Sequence, residues 1–333
     1  MAFGKLARQG WVRPLATLIF MIVLTTIFSP RADGMPIFWR PMNLFNVMRQ
    51  ISEIGILATG MTLVIIAGGI DLSVGSLLAL SGCVFAYTLS NYGHGSEIVS
   101  GAGPFVLVAG LLLLSIAASG AFGLLSGIVI TRLNLQPFIV TLAVMIAARG
   151  FSRWLVSNAN IDFGYGDQLM ARVADFLGLK AVVIPTFLAV AVLCLLLLNY
   201  TRFGRHLVAI GGSEDAARLS GIPITSVKLR VYTLSGLLAG LAGILHAAQT
   251  HQGSANAGIA YELDAIAAAV IGGTSLMGGK GSIFGTFVGA LALGILANLL
   301  GLNNVDENIQ WMLKAVIIIV AVWLQMMGRR GQV

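Results

Sequence analysis

The residues able to do chemistry in this 333-residue chain are a few polar and charged groups set in long apolar surroundings. Asp71 lies in GGIDLSVGS, residues 68–76, where glycines interrupt an aliphatic run. A carboxylate between apolar segments needs compensation, so it marks a pathway or a structural acceptor. Asp71 and Ser73 equally suit the cap of a following helix, since both types are strong N-caps. Glu262 and Asp264 open YELDAIAAAV, where carboxylates in a first helical turn favour the helix dipole. The alternative is a polar mouth that Asn256 and Gln249 would join. Asn134, Gln136, Thr141 and Arg149 surround Pro137, which suits the first turn of a helix. Arg149 and Arg153 stand four apart beside Trp154. They read as side chains snorkelling to an interface, or as a hold on an outer partner or ligand.

Other chemistry is missing. GGTSLMGGKGS, residues 272–282, resembles a phosphate loop but fails it. The pattern needs Gly six positions before Lys280, where Thr274 stands, and Ser or Thr where Gly281 stands. No metal-ligand spacing, HExxH or nucleophile–base pair occurs, and Cys83 and Cys194 sit in apolar runs as small hydrophobes. No acidic or histidine relay crosses several apolar segments, which weighs against a proton-driven carrier. We therefore expect no catalytic residue, metal or cofactor in this chain.

The surrounding composition is 57% hydrophobic and 10% charged, with a mean hydropathy of +0.92. Soluble domains carry roughly 25% charge. A polytopic all-α membrane protein follows, forming one transmembrane domain over residues 1–333. The 41 glycines agree, because helices in lipid pack closely through small residues. Gly123 and Gly127, Gly236, Gly240 and Gly243, and Gly285 and Gly289 read as such packing stripes. Ten apolar segments are legible: 14–29, 51–68, 73–90, 104–130, 135–157, 181–199, 229–248, 262–277, 282–300 and 309–327. Some, notably 14–29 and 262–277, are short enough to be broken or re-entrant, since a span needs about 20 residues. Lys5, Arg8 and Arg13 precede a first helix that is expected to be retained. The charge of +7 gathers at both termini and in one loop, which the positive-inside rule explains without nucleic acid. On that rule both termini are cytoplasmic, and loops 91–103, 157–180 and 250–261 lie outside. Gly68-Gly69-x-x-Leu72-x-x-Gly75 recurs as Gly272-Gly273-x-x-Leu276-x-x-Gly279, an offset of 204 residues that suggests an internal repeat.

The hydrophilic loop, residues 201–230, carries Arg202, Arg205, His206, Arg218, Lys228 and Arg230 and is expected inside. Ser213 can cap a short helix, Glu214 and Asp215 suit its first turn, and Gly221 with Pro223 can end it. A compact helix offered to the cytoplasm suits a soluble partner.

Three strings carry a family resemblance: residues 60–82, 201–222 and 261–286 are similar to permease subunits of ribose-type sugar ABC importers. The likeness runs from Asn43 to Leu324. It implies a permease paired with a second, identical or different, permease copy. A periplasmic sugar-binding protein would sit above them, and an ATPase with two fused nucleotide-binding modules, holding ATP and Mg, below. Localisation would be the bacterial cytoplasmic membrane, in contact with lipid. Asp215-Ala216-Ala217-x-x-x-Gly221 resembles the EAA---G coupling motif, with Asp for Glu. The resemblance thus assigns ATPase coupling to Gly211, Gly212, Ser213, Glu214, Asp215, Ala216, Ala217, Arg218, Leu219, Ser220 and Gly221. Path candidates are Asp71, Ser73, Gln136, Thr141, Asn256, Glu262, Asp264 and Thr274. The alternative is a self-sufficient sugar carrier or channel; a membrane enzyme finds no supporting constellation.

Because the phosphate loop fails, the purified chain alone should turn over no ATP in a coupled hydrolysis assay. Appreciable turnover would contradict that reading.

Overall fold

A computed structural model describes residues 12–92, 103–163 and 169–330. It is built from helices α1 (Val12–Phe28), α2 (Pro41–Ile66), α3 (Val74–Tyr92), α4 (Gly103–Arg132), α5 (Pro137–Leu155), α6 (Leu169–Gly178) and α7 (Lys180–Tyr200). These are followed by α8 (Arg202–Gly212), α9 (Glu214–Leu219), α10 (Ile224–Thr250), α11 (Tyr261–Ile271), α12 (Ile283–Leu302) and α13 (Glu307–Arg330). Sheet among the described residues is confined to two antiparallel pairs of two-residue strands. β1 (Arg31–Ala32) pairs with β2 (Met35–Pro36), and β3 (Ile161–Asp162) with β4 (Gln252–Gly253). In β1–β2 the register sets Arg31 opposite Pro36; in β3–β4 it sets Ile161 opposite Gly253.

Among the described residues seven helices, α2, α3, α4, α5, α7, α10 and α12, are long and apolar enough to cross a membrane. The sequence suggests ten segments, with 262–277 short enough to be broken or re-entrant, and that segment is broken. Its helix stops at Ile271 after 11 residues. At 1.5 Å per residue it rises about 16 Å, half of a hydrocarbon core of about 30 Å. Gly272 and Gly273 end it, Gly273 at φ +90°. Gly68, at φ +82°, does the same after α2, yet an offset of 204 residues would pair Gly68 with Gly272. The two interruptions share a form without sharing a register. Lys5, Arg8, Asp167 and residues 93–102 lie outside the described residues.

The chain divides into two compact units. In the first (Met1–Gly68, Ala189–Gly212, Asp264–Val333), α2 packs along α12. Asn43 and Asn298 exchange reciprocal amide hydrogen bonds of 3.0 and 2.9 Å, and the Thr62 and Thr286 hydroxyls meet at 2.6 Å. These polar pairs fix the register of two otherwise apolar helices.

The second unit (Gly69–Leu188, Ser213–Leu263) is organised around α10, which packs against α3, α4 and α6. The predicted glycine stripes meet here. A Cβ on Gly236 would lie 2.6 Å from the Ser119 carbonyl oxygen, and one on Gly243 would lie 2.1 Å from that of Leu78. Only hydrogen side chains permit that approach. Ser81 Oγ donates to the Gly240 carbonyl at 2.7 Å, and Ser119 Oγ to that of Leu77 at 2.8 Å.

Gly243→Val should therefore force α10 off α3 and lower the melting midpoint in detergent, a loss of roughly 1–3 kcal/mol as for other overpacked cores. Gly150→Ala, whose new Cβ meets nothing within 4 Å, should be neutral or stabilising by the same assay. Equal effects at the two glycines would refute this packing account.

Candidate functional site

Two places concentrate the polar groups: the interruption before α3, and the hydrophilic loop from α8 to α10.

The first follows the end of α2. Asp71 is fully buried. Its Oδ1 accepts from the Ser73 backbone N–H at 3.0 Å and from Ser73 Oγ, and its Oδ2 accepts from Ser235 Oγ of α10 at 2.8 Å. The Ser73 carbonyl receives Leu77 N–H at 2.8 Å and Ser76 Oγ at 2.9 Å, which starts α3. Buried Thr141 of α5 donates to the Ile70 carbonyl at 3.2 Å and also reaches Pro137 O at 3.0 Å. Asp71 thus works as a structural acceptor that fastens the interruption to α10, while Thr141 fastens it to α5.

Within the second unit the structure brings Asp71, Ser73 and Thr141 together. Gln136 is exposed at the N-cap of α5, and its side chain makes no capping bond. Asn256 is exposed and accepts from Arg153 Nη2 at 3.3 Å. Glu262 lies over Gly75, its Oε2 2.5 Å from where a Cβ there would stand. Asp264, in the first unit, pairs with Lys314 of α13 at 2.9 Å, with only 14% and 28% of the two side chains exposed. Thr274 is buried in that same unit, its N–H donating to Ala269 O at 2.9 Å. Arg149 clamps a loop: its Nη1 donates to the Ala255 and Ala257 carbonyls, both at 2.6 Å. Sequence reasoning passed over Ser235, a lone hydroxyl within a glycine stripe. It also passed over Lys314, although a single ammonium inside an apolar run is a detectable signal.

The loop holds one helix more than expected. In α8 the buried residues Gly204, Leu207 and Ile210 form an apolar stripe. Gly211 ends it beneath the last turn of α2; a Cβ there would lie 1.7 Å from Ile66 O. Gly211 is therefore a packing residue, whereas Gly212 is exposed. Helix α9 then forms as its sequence dictates. Ser213 Oγ accepts from Ala216 N–H at 3.3 Å, and Glu214 and Asp215 occupy the first turn. Gly221 turns the chain at φ +75°, donating to Arg218 O at 3.0 Å. Ala217 is buried, while Asp215, Ala216, Arg218, Leu219, Ser220 and Gly221 are exposed. Leu219, 90% exposed, is an apolar side chain standing in the open at the end of a capped helix. Glu214 pairs with Lys228 at 2.6 Å and with Arg218 at 3.4 Å.

Membrane-length helices, a hydrogen-bonded interruption between two of them and a capped, exposed helix define a polytopic membrane protein. Residues 43–322 match the family described as branched-chain amino acid transport system, permease component, and the chain belongs to that family. It is 41% identical over 319 residues to the ribose import permease protein RbsC of Escherichia coli (strain K12), covering 94% of each chain. RbsC of Bacillus subtilis (strain 168) is 40% identical over 314 residues, covering 93% of this chain and 91% of that protein. The L-arabinose ABC transporter permease protein AraH of Azospirillum brasilense is 34% identical over 310 residues, 91% and 85% of the two chains.

Asp71→Asn should keep the interruption intact, because its Oδ1 still accepts from Ser73 and an amide nitrogen can donate to Ser235 Oγ. Asp71→Leu leaves buried donors unmet and should lose roughly 1–3 kcal/mol for each such group. Uptake and melting curves of the two variants check this. Complete loss of transport in a stable Asp71→Asn protein would assign the charge itself to the path.

Proposed function

We propose that this chain is the permease subunit of an ATP-binding-cassette importer for a monosaccharide, a ribose-like pentose, a hexose or a related polyol. The observation that carries the reading is likeness over nearly the whole length to permeases named for ribose and arabinose. At up to 41% identity, those names weigh more on substrate class than the broad family description does. The single permease domain, residues 1–333, forms the translocation path with about ten segments, some short or broken and related by an internal repeat. It lies in the bacterial cytoplasmic membrane with both termini inside.

The chain catalyses nothing itself in this proposal. ATP and Mg are bound and hydrolysed by an ATPase subunit with two fused nucleotide-binding modules. A second permease copy completes the path, and a periplasmic binding protein delivers the sugar. Helix α9 meets the ATPase: its cap and first-turn carboxylates make it rigid for its length, and exposed Leu219 offers an apolar contact. Gly212 to Gly221 form this element, with Gly211 anchoring its near end. The interruption at Asp71, Ser73 and Thr141 lies on the path, with Gln136, Asn256, Glu262, Asp264 and Thr274 as further lining.

Gly221→Pro tests the role of α9. Proline holds φ near −65° and lacks an N–H, so it can adopt neither the +75° turn nor the bond to Arg218. Membrane insertion should remain, while ATPase binding and ATP-driven ribose uptake fall to background. Unaltered uptake would refute the coupling role.

A further inference from the structure

Helix α9 is joined to the chain at both ends and is held in addition by one ion pair to α10. Its C-terminal end runs covalently through Gly221 and Pro223 into α10. At that end Gly221 is exposed, Ala217 is buried, and Ile222 N–H donates back to the Ala217 carbonyl at 3.1 Å. Its N-terminal end is held by Lys228, whose Nζ reaches Glu214 Oε2 at 2.6 Å. Lys228 is 16% exposed and Glu214 40%, so the pair is partly withdrawn from water, where charges attract more strongly. Arg218, the other cation on Glu214, belongs to α9 itself and is 68% exposed, so it cannot fasten α9 to anything else. A helix pinned at both ends moves with its neighbour as one body.

That neighbour leads to the interruption. Lys228 and Ser235 are seven residues apart on α10, two turns along one face and about 10 Å in rise. Ser235 Oγ donates to Asp71 Oδ2 at 2.8 Å, and Asp71 holds Ser73 at the start of α3. A run of bonded groups therefore connects Glu214, Lys228, the body of α10, Ser235 and Asp71, all inside the second compact unit.

We propose that Lys228 is the positioning residue through which α9 drives α10, so that a displacement of α9 reaches the Asp71 interruption. Lys228 need not touch the ATPase or the sugar; it ties the first turn of α9 to the body of α10. This rests on the coupling role proposed above for α9.

The test uses the complete importer, with its ATPase and binding protein, in proteoliposomes with radiolabelled ribose. The quantities measured are ribose transported per ATP hydrolysed and the Kd of the ATPase for the permease. Lys228→Gln should lower the transport ratio by roughly five-fold, the factor expected from losing one partly buried pair, while ATPase binding stays at the wild-type Kd. Lys228→Arg, which keeps the cation, should hold the wild-type ratio, which a merely misfolded variant would not do. A wild-type ratio in Lys228→Gln overturns the inference, as does loss of ATPase binding in step with uptake, or a Lys228→Arg protein that behaves as Lys228→Gln does. A wild-type complex without ATP-driven uptake overturns the coupling reading, and this inference with it.

Discussion

Lipid offers no hydrogen bonds, so every backbone group freed where a membrane helix stops must find its partner within the protein. That constraint governs this chain, because two of its helices stop in glycine-rich interruptions. After α2, the Ile66 carbonyl receives the Gly279 N–H at 2.9 Å, so the second interruption helps to close the end of the helix before the first. Within the second interruption, Ser275 N–H reaches the Lys280 carbonyl at 2.9 Å, and Ser282 caps α12 by accepting from Gly285 N–H at 3.1 Å. Before α3, a carboxylate does the closing, with Asp71 collecting one amide and two hydroxyls. The glycines are there because side chains would not fit: a Cβ on Gly278 would lie 2.7 Å from the Gly211 carbonyl oxygen.

The same constraint separates the tasks of the polar residues. Those in apolar surroundings are mostly consumed by sealing: Asp71, Thr141 and Arg149 each satisfy or clamp backbone nearby. Those of α9 mostly remain turned outward, with Asp215, Arg218 and Ser220 exposed. In the proposed mechanism this division is functional. Energy enters where groups are left unsatisfied, and sealed interruptions are elements whose few specific bonds can rearrange together.

Much of the fold was legible in the sequence. Apolar run length located the helices, and Ser213, Glu214 and Gly221 announced a capped helix that the structure contains, because capping depends on neighbours within four positions. The glycine stripes of α4 and α10 were equally readable as packing faces. What escaped depended on distant partners. Ser235 is unremarkable until Asp71 is set beside it, and Asp264 reads as a dipole carboxylate until Lys314 arrives 50 positions later. Gly211 looked like part of the exposed loop, because no local pattern shows the end of α2 lying over it. Segment 262–277 was overextended for a related reason: hydropathy counts the leucine and methionine after Gly273 as helix, although the backbone has already turned.

The most direct measurement of the central claim places a photo-crosslinking residue at position 219 and irradiates the assembled importer in membranes. The account predicts a crosslink to the ATPase subunit, absent at buried position 217, and no assembled complex when Leu219 is replaced by Asp. A Leu219→Asp complex that assembles and imports its sugar normally, with no crosslink from position 219, would contradict it.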